Sequence, residues 1–227
     1  ALHAAKEAPE SEFAERVVDA DRTGAAASPD EWTYIHAFCG LDAGREAFAP
    51  LGGRPAGACD VSVSVRKLWN HLTGLKALSS FELVLAMARE GRLEQHWNLL
   101  SALVYLSGAP CIDFSTAGVQ RGVDGATGQL FLDDVELALL LGLTIVVKEI
   151  VPGILQPHLR PVLDAALRAL SQDGRYMVNF RLLCCRRHGD IYTTRERVFV
   201  VAVLKSKLKP GVTAQDFFPA EERPSRP

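Results

Sequence analysis

No run of apolar residues in this chain is long enough to cross a membrane, and no signal peptide is recognisable. The five cysteines lack the spacing of a disulfide framework or a zinc site. We therefore expect reduced thiols and an intracellular location, nuclear if the source is a eukaryote. No charge of one sign dominates, because the net charge is −2. The chain as a whole predicts no general affinity for a polyanion, so any nucleic-acid contact must be local or use basic surface elsewhere.

The composition is that of a globular protein with one large domain. Of its 227 residues, 48% are hydrophobic and 23% are charged, which allows a sizeable core. Residues 1–30 are rich in alanine and charge, which predicts a flexible tail or linker. We expect a folded lobe over residues 31–207 and a tail over residues 208–227.

The first part of this lobe has the pattern of a nucleoside-binding unit. Residues 32–38 predict a strand, Gly40 lies in a tight turn, and residues 45–51 predict a helix. A second strand over residues 54–59 ends at Asp60. A turn of small residues lets the backbone approach a ligand, and an acid after the second strand can accept hydrogen bonds from ribose hydroxyls. A helix over residues 61–72 should follow, with Val61, Val65, Leu68 and Leu72 facing inward.

A single cysteine follows the next predicted strand. Residues 103–106 are apolar, and Pro110 prevents either a strand or a helix from continuing through Cys111. The thiol then lies at the carboxyl end of a strand, where open α/β sheets bind their ligands. By itself, such a cysteine is more often a small packed apolar residue.

Two further groups of charged residues lie close to predicted strands. Glu149 follows the apolar run of residues 143–147, and Arg195 and Arg197 precede the strand of residues 198–204. Taken alone, an acid at a strand end is about as typical of a cap or surface group as of a catalyst. The two arginines, taken alone, are typical of surface charge. Along the chain the segments follow one another as the strand-turn-helix unit, the cysteine, the acid and the pair of arginines.

In that order the segments resemble the motif blocks of DNA (cytosine-5)-methyltransferases. The resemblance covers residues 35–218 and is carried by Pro110-Cys111 with Phe114-Ser115, by Phe38-x-Gly40, by Glu149 and by Arg195-x-Arg197. It implies a Rossmann-like methyltransferase fold, an α/β sandwich with a mainly parallel sheet and helices on both faces. It also implies S-adenosylmethionine as cofactor and DNA as partner, with the target cytosine flipped out of the duplex.

The same resemblance implies a role for each candidate residue. Cys111 would be the nucleophile, with a thiolate favoured by nearby arginines and loop amides. Glu149 would hold and protonate the cytosine ring, while Arg195 and Arg197 would clamp a phosphate and the cytosine carbonyl. The residues implied at the cofactor are Phe38, Gly40, Leu41, Asp60, Pro110 and Leu130. Residues 119–128 resemble the mobile loop that closes over the flipped base.

Several positions depart from the family pattern. Ile112, Ile150 and Thr193 replace polar residues, and no acid is found for the adenine amino group. Asp42 replaces a glycine and could instead cap the following helix. Two alternatives therefore stay open, namely a non-catalytic regulatory pseudo-methyltransferase and an RNA cytosine methyltransferase of the same lineage. The family's target recognition region is absent here and is expected elsewhere on the polypeptide or on a partner.

Overall fold

A computed structural model describes residues 31–115, 122, 125–172, 174–188 and 193–219. Six strands form one sheet in the order β2-β1-β3-β4-β6-β5. The strands β1 to β4 are mutually parallel, and β6 is antiparallel to both of its neighbours. The predicted mainly parallel sheet is therefore confirmed. The strands are β1 Trp32–Ala37, β2 Gly53–Cys59, β3 Ala102–Ser107, β4 Ile145–Ile150, β5 Tyr176–Cys184 and β6 Glu196–Leu204.

Helices cover both faces of the sheet, as predicted. They are α1 Ala43–Phe48, α2 Val63–Thr73, α3 Phe81–Arg89, α4 Ala126–Leu141, α5 Arg160–Ser171 and α6 Cys185–His188. Buried residues of α3, α4 and α5 form the main core on one face. Phe48 of α1 packs on the opposite face, and Trp69 of α2 packs against Ala58 of β2 on that face.

Alternation along the strands assigns side chains to these two faces. In β4, Val146 and Ile150 belong to the main core, whereas Ile145 and Val147 belong to the cluster on the other face. The same period of two places Lys148 on the side of the main core and Glu149 on the opposite side.

The predicted inner face of α2 is wrong at three of its four positions, and only Val65 packs against the cluster that contains Trp69. Val61 precedes the helix and is 80% exposed, and Leu68 and Leu72 are each 40% exposed. The buried residue of this helix is Trp69. The helix covers the edge of the sheet, so one large ring fills the space that a stripe of aliphatic side chains was expected to fill.

The chain after β6 packs against the sheet as far as it is described. Phe217 and Phe218 are buried in the cluster that contains Tyr34 and Val104. The predicted tail over residues 1–30 lies outside the described residues, and so do residues 220–227 of the tail that was predicted over residues 208–227. Within the described ranges, no helix has the length and apolarity needed to cross a membrane.

Candidate active site

Cys111 lies in the loop that leaves the carboxyl end of β3. It is half-buried and begins a 3₁₀ turn over Ile112–Phe114. The ring of Phe114 is fully buried and packs edge to face on Phe131 of α4, with 5.8 Å between the ring centroids. This aromatic contact fixes the turn to the core while the thiol stays at the end of the sheet.

Asp113 ties the same loop to the start of α4. Its carboxylate accepts hydrogen bonds from the Thr127 backbone N–H, at 2.9 Å, and from the Thr127 hydroxyl. A Cβ at Gly125 would lie 2.1 Å from that carboxylate, so only glycine permits this approach. The loop predicted over residues 119–128 ends earlier than expected, because α4 begins at Ala126. Most of the remaining loop lies outside the described residues.

Glu149 and the two arginines form one charged cluster. The Glu149 Oε1 atom lies 2.9 Å from Arg197 Nε and 3.2 Å from a terminal nitrogen of Arg195. This cluster forms because β6 runs antiparallel to β4, which brings the amino end of β6 beside the carboxyl end of β4. The two arginines hold the Glu149 carboxylate in position. The side chain is 35% exposed, so the carboxylate remains accessible.

The Cys111 thiol lies within the electrostatic reach of this cluster. The Val151 backbone N–H, which hydrogen-bonds to the sulfur, and the guanidinium groups of Arg197 and Arg195 lower the pKa of Cys111. Burial, aided by the Glu149 carboxylate, outweighs them and raises the pKa of Cys111 above its ordinary value. The arginines and the amide are present as expected, but the expected net preference for the thiolate is not found.

The turn after β1 and the end of β2 form a second group at this end of the sheet. The Gly40 backbone N–H donates to Asp60 Oδ2 at 3.0 Å, and the Ser62 backbone N–H donates to Asp60 Oδ1 at 2.8 Å. Gly40 has a φ of +52°, and a Cβ there would meet nothing within 4 Å. Leu41 is 79% exposed. The turn therefore has open space beside the Gly40 backbone, and the Asp60 carboxylate holds this turn to the segment after β2.

Phe38, Pro110 and Leu130 complete the predicted cofactor residues. Phe38 has a φ of +55°, an unusual conformation for a bulky residue, and its ring stacks on Phe81 with 4.7 Å between centroids. Pro110 directly precedes Cys111. Leu130, in the second turn of α4, packs against the same core cluster as Phe38 and Cys111.

Asp42 occupies the N-cap position of α1 but makes no side-chain cap. Its carboxylate instead lies 2.8 Å from His36 Nδ1 and accepts a hydrogen bond from the Tyr34 hydroxyl. Asp42 has a φ of +57°, a conformation that glycine adopts readily and that aspartate tolerates better than most residues. The contacts with His36 and Tyr34 of β1 account for an aspartate at this position. The interpretation of the Asp42 side chain as a cap of α1 is therefore wrong.

A buried ion pair behind the site was not predicted. Lys148 of β4 and Asp134 of α4 are in contact and almost fully buried. The hydroxyls of Tyr105 and Ser107 also donate to Asp134. Burial lowers the pKa of Lys148 well below its ordinary value. The signal available in the sequence was the period of two in β4, which places Lys148 opposite Glu149.

The departures from the family pattern lie in three different environments. Ile150 is buried in the main core, Ile112 is 66% exposed and Thr193 is exposed. Ile150 therefore contributes packing where the resemblance expected a hydrogen-bonding side chain. Among the described residues, no group of histidine, cysteine and acidic side chains has the arrangement of a metal site.

Comparison with known sequences shows what this chain is similar to. The family model described as C-5 cytosine-specific DNA methylase matches residues 94–225. A type II methyltransferase of Herpetosiphon aurantiacus, M.HgiCII, is 22% identical over 85% of this chain and 42% of its own length. A DNA N-6-adenine-methyltransferase of Escherichia phage P1 is 33% identical over 55% of this chain, which is 17% of that protein.

Solved structures show the same fold. A DNA modification methyltransferase encoded within an E. coli prophage superposes with a TM-score of 0.61 at 20% identity, over 78% of this chain and 47% of that one. The S. pombe Dnmt2 methyltransferase gives a TM-score of 0.57 at 14% identity, over 82% and 52%. The chain thus has the Rossmann-like methyltransferase fold and spans about half the length, or less, of these proteins.

Proposed function

Because the chain belongs to the C-5 cytosine-specific DNA methylase family, we propose that it transfers the methyl group of S-adenosylmethionine to carbon 5 of cytosine in DNA. The observation that carries this proposal is the grouping of the Cys111 thiol, the Val151 backbone N–H and the Glu149–Arg197 pair at one end of the sheet. This grouping combines a nucleophile, a hydrogen-bond donor for its anion and an acid for the ring.

Cys111 acts as the nucleophile. Its thiolate adds to carbon 6 of cytosine, so a carbon–sulfur bond forms and the electron pair of the 5,6 double bond moves toward carbon 5 and the ring nitrogen. Glu149 gives a proton to that nitrogen as negative charge develops. Carbon 5 then takes the methyl group and loses its proton to water, and the electron pair of that carbon–hydrogen bond restores the 5,6 double bond as the carbon–sulfur bond breaks to release the thiolate. The ring nitrogen returns its proton to Glu149.

Arg195 and Arg197 support this step in two ways. They hold the Glu149 carboxylate between them, and their guanidinium groups are suited to a phosphate and to the cytosine carbonyl. Cytosine must leave the duplex for its carbon 6 to reach the thiol, so the site receives a flipped base. A fixed acid and two fixed cations orient that base without moving during the reaction.

The residues after β1 and β2 fit the cofactor. The exposed Leu41, the bare backbone at Gly40 and the Asp60 carboxylate offer an apolar contact, close approach and an acceptor for ribose hydroxyls. When bound, S-adenosylmethionine supplies the methyl group as an electrophile. Phe38, Pro110 and Leu130 are proposed to bound the cofactor on the side of Cys111.

Product analysis tests the proposal. DNA and RNA strands of one sequence are each incubated with S-adenosylmethionine and the protein, and 5-methylcytosine is measured by mass spectrometry. We expect the product in DNA, its loss in Cys111→Ala and its retention in Cys185→Ala, a control at another half-buried cysteine. Product in RNA alone would replace DNA with RNA as the substrate. Binding of DNA and cofactor without product would favour the regulatory pseudo-methyltransferase.

A further inference from the structure

Positive charge is concentrated in one part of the chain. Residues 175–209 contain nine lysines and arginines and two acidic residues, a net charge of +7 in a chain whose total is −2. The low overall charge therefore hides a strongly basic segment in an otherwise acidic chain. A segment of this kind provides the local polyanion contacts that the net charge does not indicate.

This segment folds mainly into the β5–β6 hairpin, and part of its charge lies at the end that faces the site. After β5, Arg186 and Arg187 lie on the short helix α6, and both are exposed. The Cys185 backbone N–H donates to the Arg195 carbonyl at 3.0 Å, which joins α6 to the chain entering β6. Since Arg195 contacts Glu149, the two α6 arginines extend the charged cluster of the site outward.

Acidic residues do not balance this end of the hairpin. Among the described residues there, Glu149 contacts Arg195 and Arg197, and Glu196 contacts Arg187 at 3.1 Å. The Arg187–Glu196 pair is exposed on both sides, and exposed pairs contribute little to stability. Arginine binds phosphate in a bidentate geometry, and the side chains of Arg186 and Arg187 are both exposed for such a contact.

We infer that Arg186 and Arg187 bind the phosphodiester backbone of duplex DNA beside the cytosine that enters the site. This inference rests on the proposed function and extends it with a surface that the family resemblance did not assign. The other end of the hairpin carries Lys205, about 30 Å away for a strand of this length. That lysine is exposed and basic but lies at the opposite end from the site.

The salt dependence of binding tests this surface directly. Binding of the full chain to a random-sequence DNA duplex of about two helical turns is measured at several salt concentrations. The slope of log K against log salt is negative, and each lost phosphate contact reduces its magnitude by about 0.9. We expect Arg186→Gln/Arg187→Gln to reduce the magnitude of the slope by about two and to weaken binding of all sequences alike. Lys205→Gln should leave the slope unchanged.

Covalent trapping on DNA that contains 5-fluorocytosine separates this inference from the proposed function. A shallower slope in the double variant, with no adduct in the wild type, would support phosphate binding by Arg186 and Arg187 and contradict methyl transfer. An adduct in the wild type with an unchanged slope in the double variant would overturn the surface alone. An equal reduction of the slope in Lys205→Gln and in the double variant would also overturn the inferred phosphate contacts, because binding would then depend on total charge alone.

Discussion

Opposing effects set the reactivity of the sulfur at Cys111. Burial and the Glu149 carboxylate raise the pKa of the thiol, whereas Arg197, Arg195 and the Val151 N–H lower it. A raised pKa keeps the thiol protonated at neutral pH, so the thiolate fraction and the rate of attack should increase as the pH rises. The thiol pKa of Cys39 and of Cys59 is raised to about 12, so those two buried cysteines should react more slowly.

Glu149→Gln should affect the thiol and the methyl transfer in opposite directions. Removal of the carboxylate lowers the pKa of Cys111, so the pH profile of its alkylation by iodoacetamide should move to lower pH. Loss of the acid should slow methyl transfer by about 10² or more. The measurements are mass spectrometry of the Cys111 peptide across a pH series and a methyl-transfer assay.

Glu196→Gln is the matched control for this prediction. Glu196 is a neighbouring acid that pairs with Arg187 and does not contribute to the pKa of Cys111. Its alkylation profile should coincide with that of the wild type. An alkylation profile of Glu149→Gln that moves to higher pH or does not move would contradict the effect of the Glu149 carboxylate on the Cys111 thiol.

Asp60→Ala should weaken S-adenosylmethionine binding by about tenfold or more. A hydrogen bond to a charged acceptor contributes about 1.5–3 kcal/mol, and about 1.4 kcal/mol corresponds to tenfold in affinity. Calorimetric titration gives the dissociation constant, and Asp164→Ala, at an exposed pair with Arg160 on α5, is the control. Equal affinity in Asp60→Ala and the wild type would remove Asp60 from the proposed cofactor site.

Among the elements, β4 connects the proposed chemistry to the core. Glu149 points toward Arg197, and the preceding Lys148 points to the opposite side, where it pairs with Asp134 of α4. Ser107, at the end of β3, donates to the same aspartate. The ends of β3 and β4 are thus linked to α4, the helix whose first turn also binds Asp113 of the loop that carries Cys111.

Lys148→Met should destabilise the fold by about 3–5 kcal/mol, because it leaves a buried carboxylate without its cation. Lys148→Met/Asp134→Asn should recover much of that loss, since it removes the buried charge and keeps one acceptor oxygen for the Tyr105 hydroxyl, while the amide N–H can donate to the Ser107 hydroxyl. Urea unfolding followed by circular dichroism gives both free energies. Arg89→Met is the control, because it breaks an exposed ion pair with Glu136 of α4. It should change the urea midpoint of unfolding little. A double variant less stable than Lys148→Met would contradict the buried-charge explanation.

The regular elements were predictable where apolar pattern and backbone chemistry agree. The strands predicted over residues 32–38, 54–59, 103–106, 143–147 and 198–204 have observed counterparts, and Asp60 and Cys111 follow strands as expected. The inner face of α2 was not predictable, because Trp69 and a stripe of exposed aliphatic residues fit a helical period equally well. The ion pair of Lys148 and Asp134 joins two elements, so neither residue alone indicates its partner.

For the proposed site, the types of residue were easier to predict than their electrostatics. The motif order identified Cys111, Glu149 and the arginines, which lie at one end of the sheet. The balance of burial against charge at the thiol depends on three-dimensional packing that the sequence does not contain. The hydrogen bond from Val151 to the thiol likewise depends on the pairing of β3 with β4, which brings the residues after the two strands together.

On the scale of the whole molecule, charge and proposed chemistry lie at the same end. The carboxyl ends of the parallel strands carry Cys111 and Glu149, and the basic end of the β5–β6 hairpin lies beside them. This arrangement favours a polyanion that approaches one end of the sheet only. The chain spans less than half of M.HgiCII, so recognition of a target sequence is proposed to use residues beyond those present here.

Covalent trapping at Cys111 is the most direct test of the proposed mechanism. The protein is incubated with S-adenosylmethionine and duplex DNA in which 5-fluorocytosine replaces cytosine, because fluorine at carbon 5 prevents the final elimination. We predict a denaturation-resistant protein–DNA adduct, mapped by mass spectrometry to the peptide containing Cys111, which is absent in Cys111→Ala and present in Cys185→Ala. A protein that binds this DNA and the cofactor without forming the adduct, or forms it equally in Cys111→Ala, would contradict Cys111 as the nucleophile.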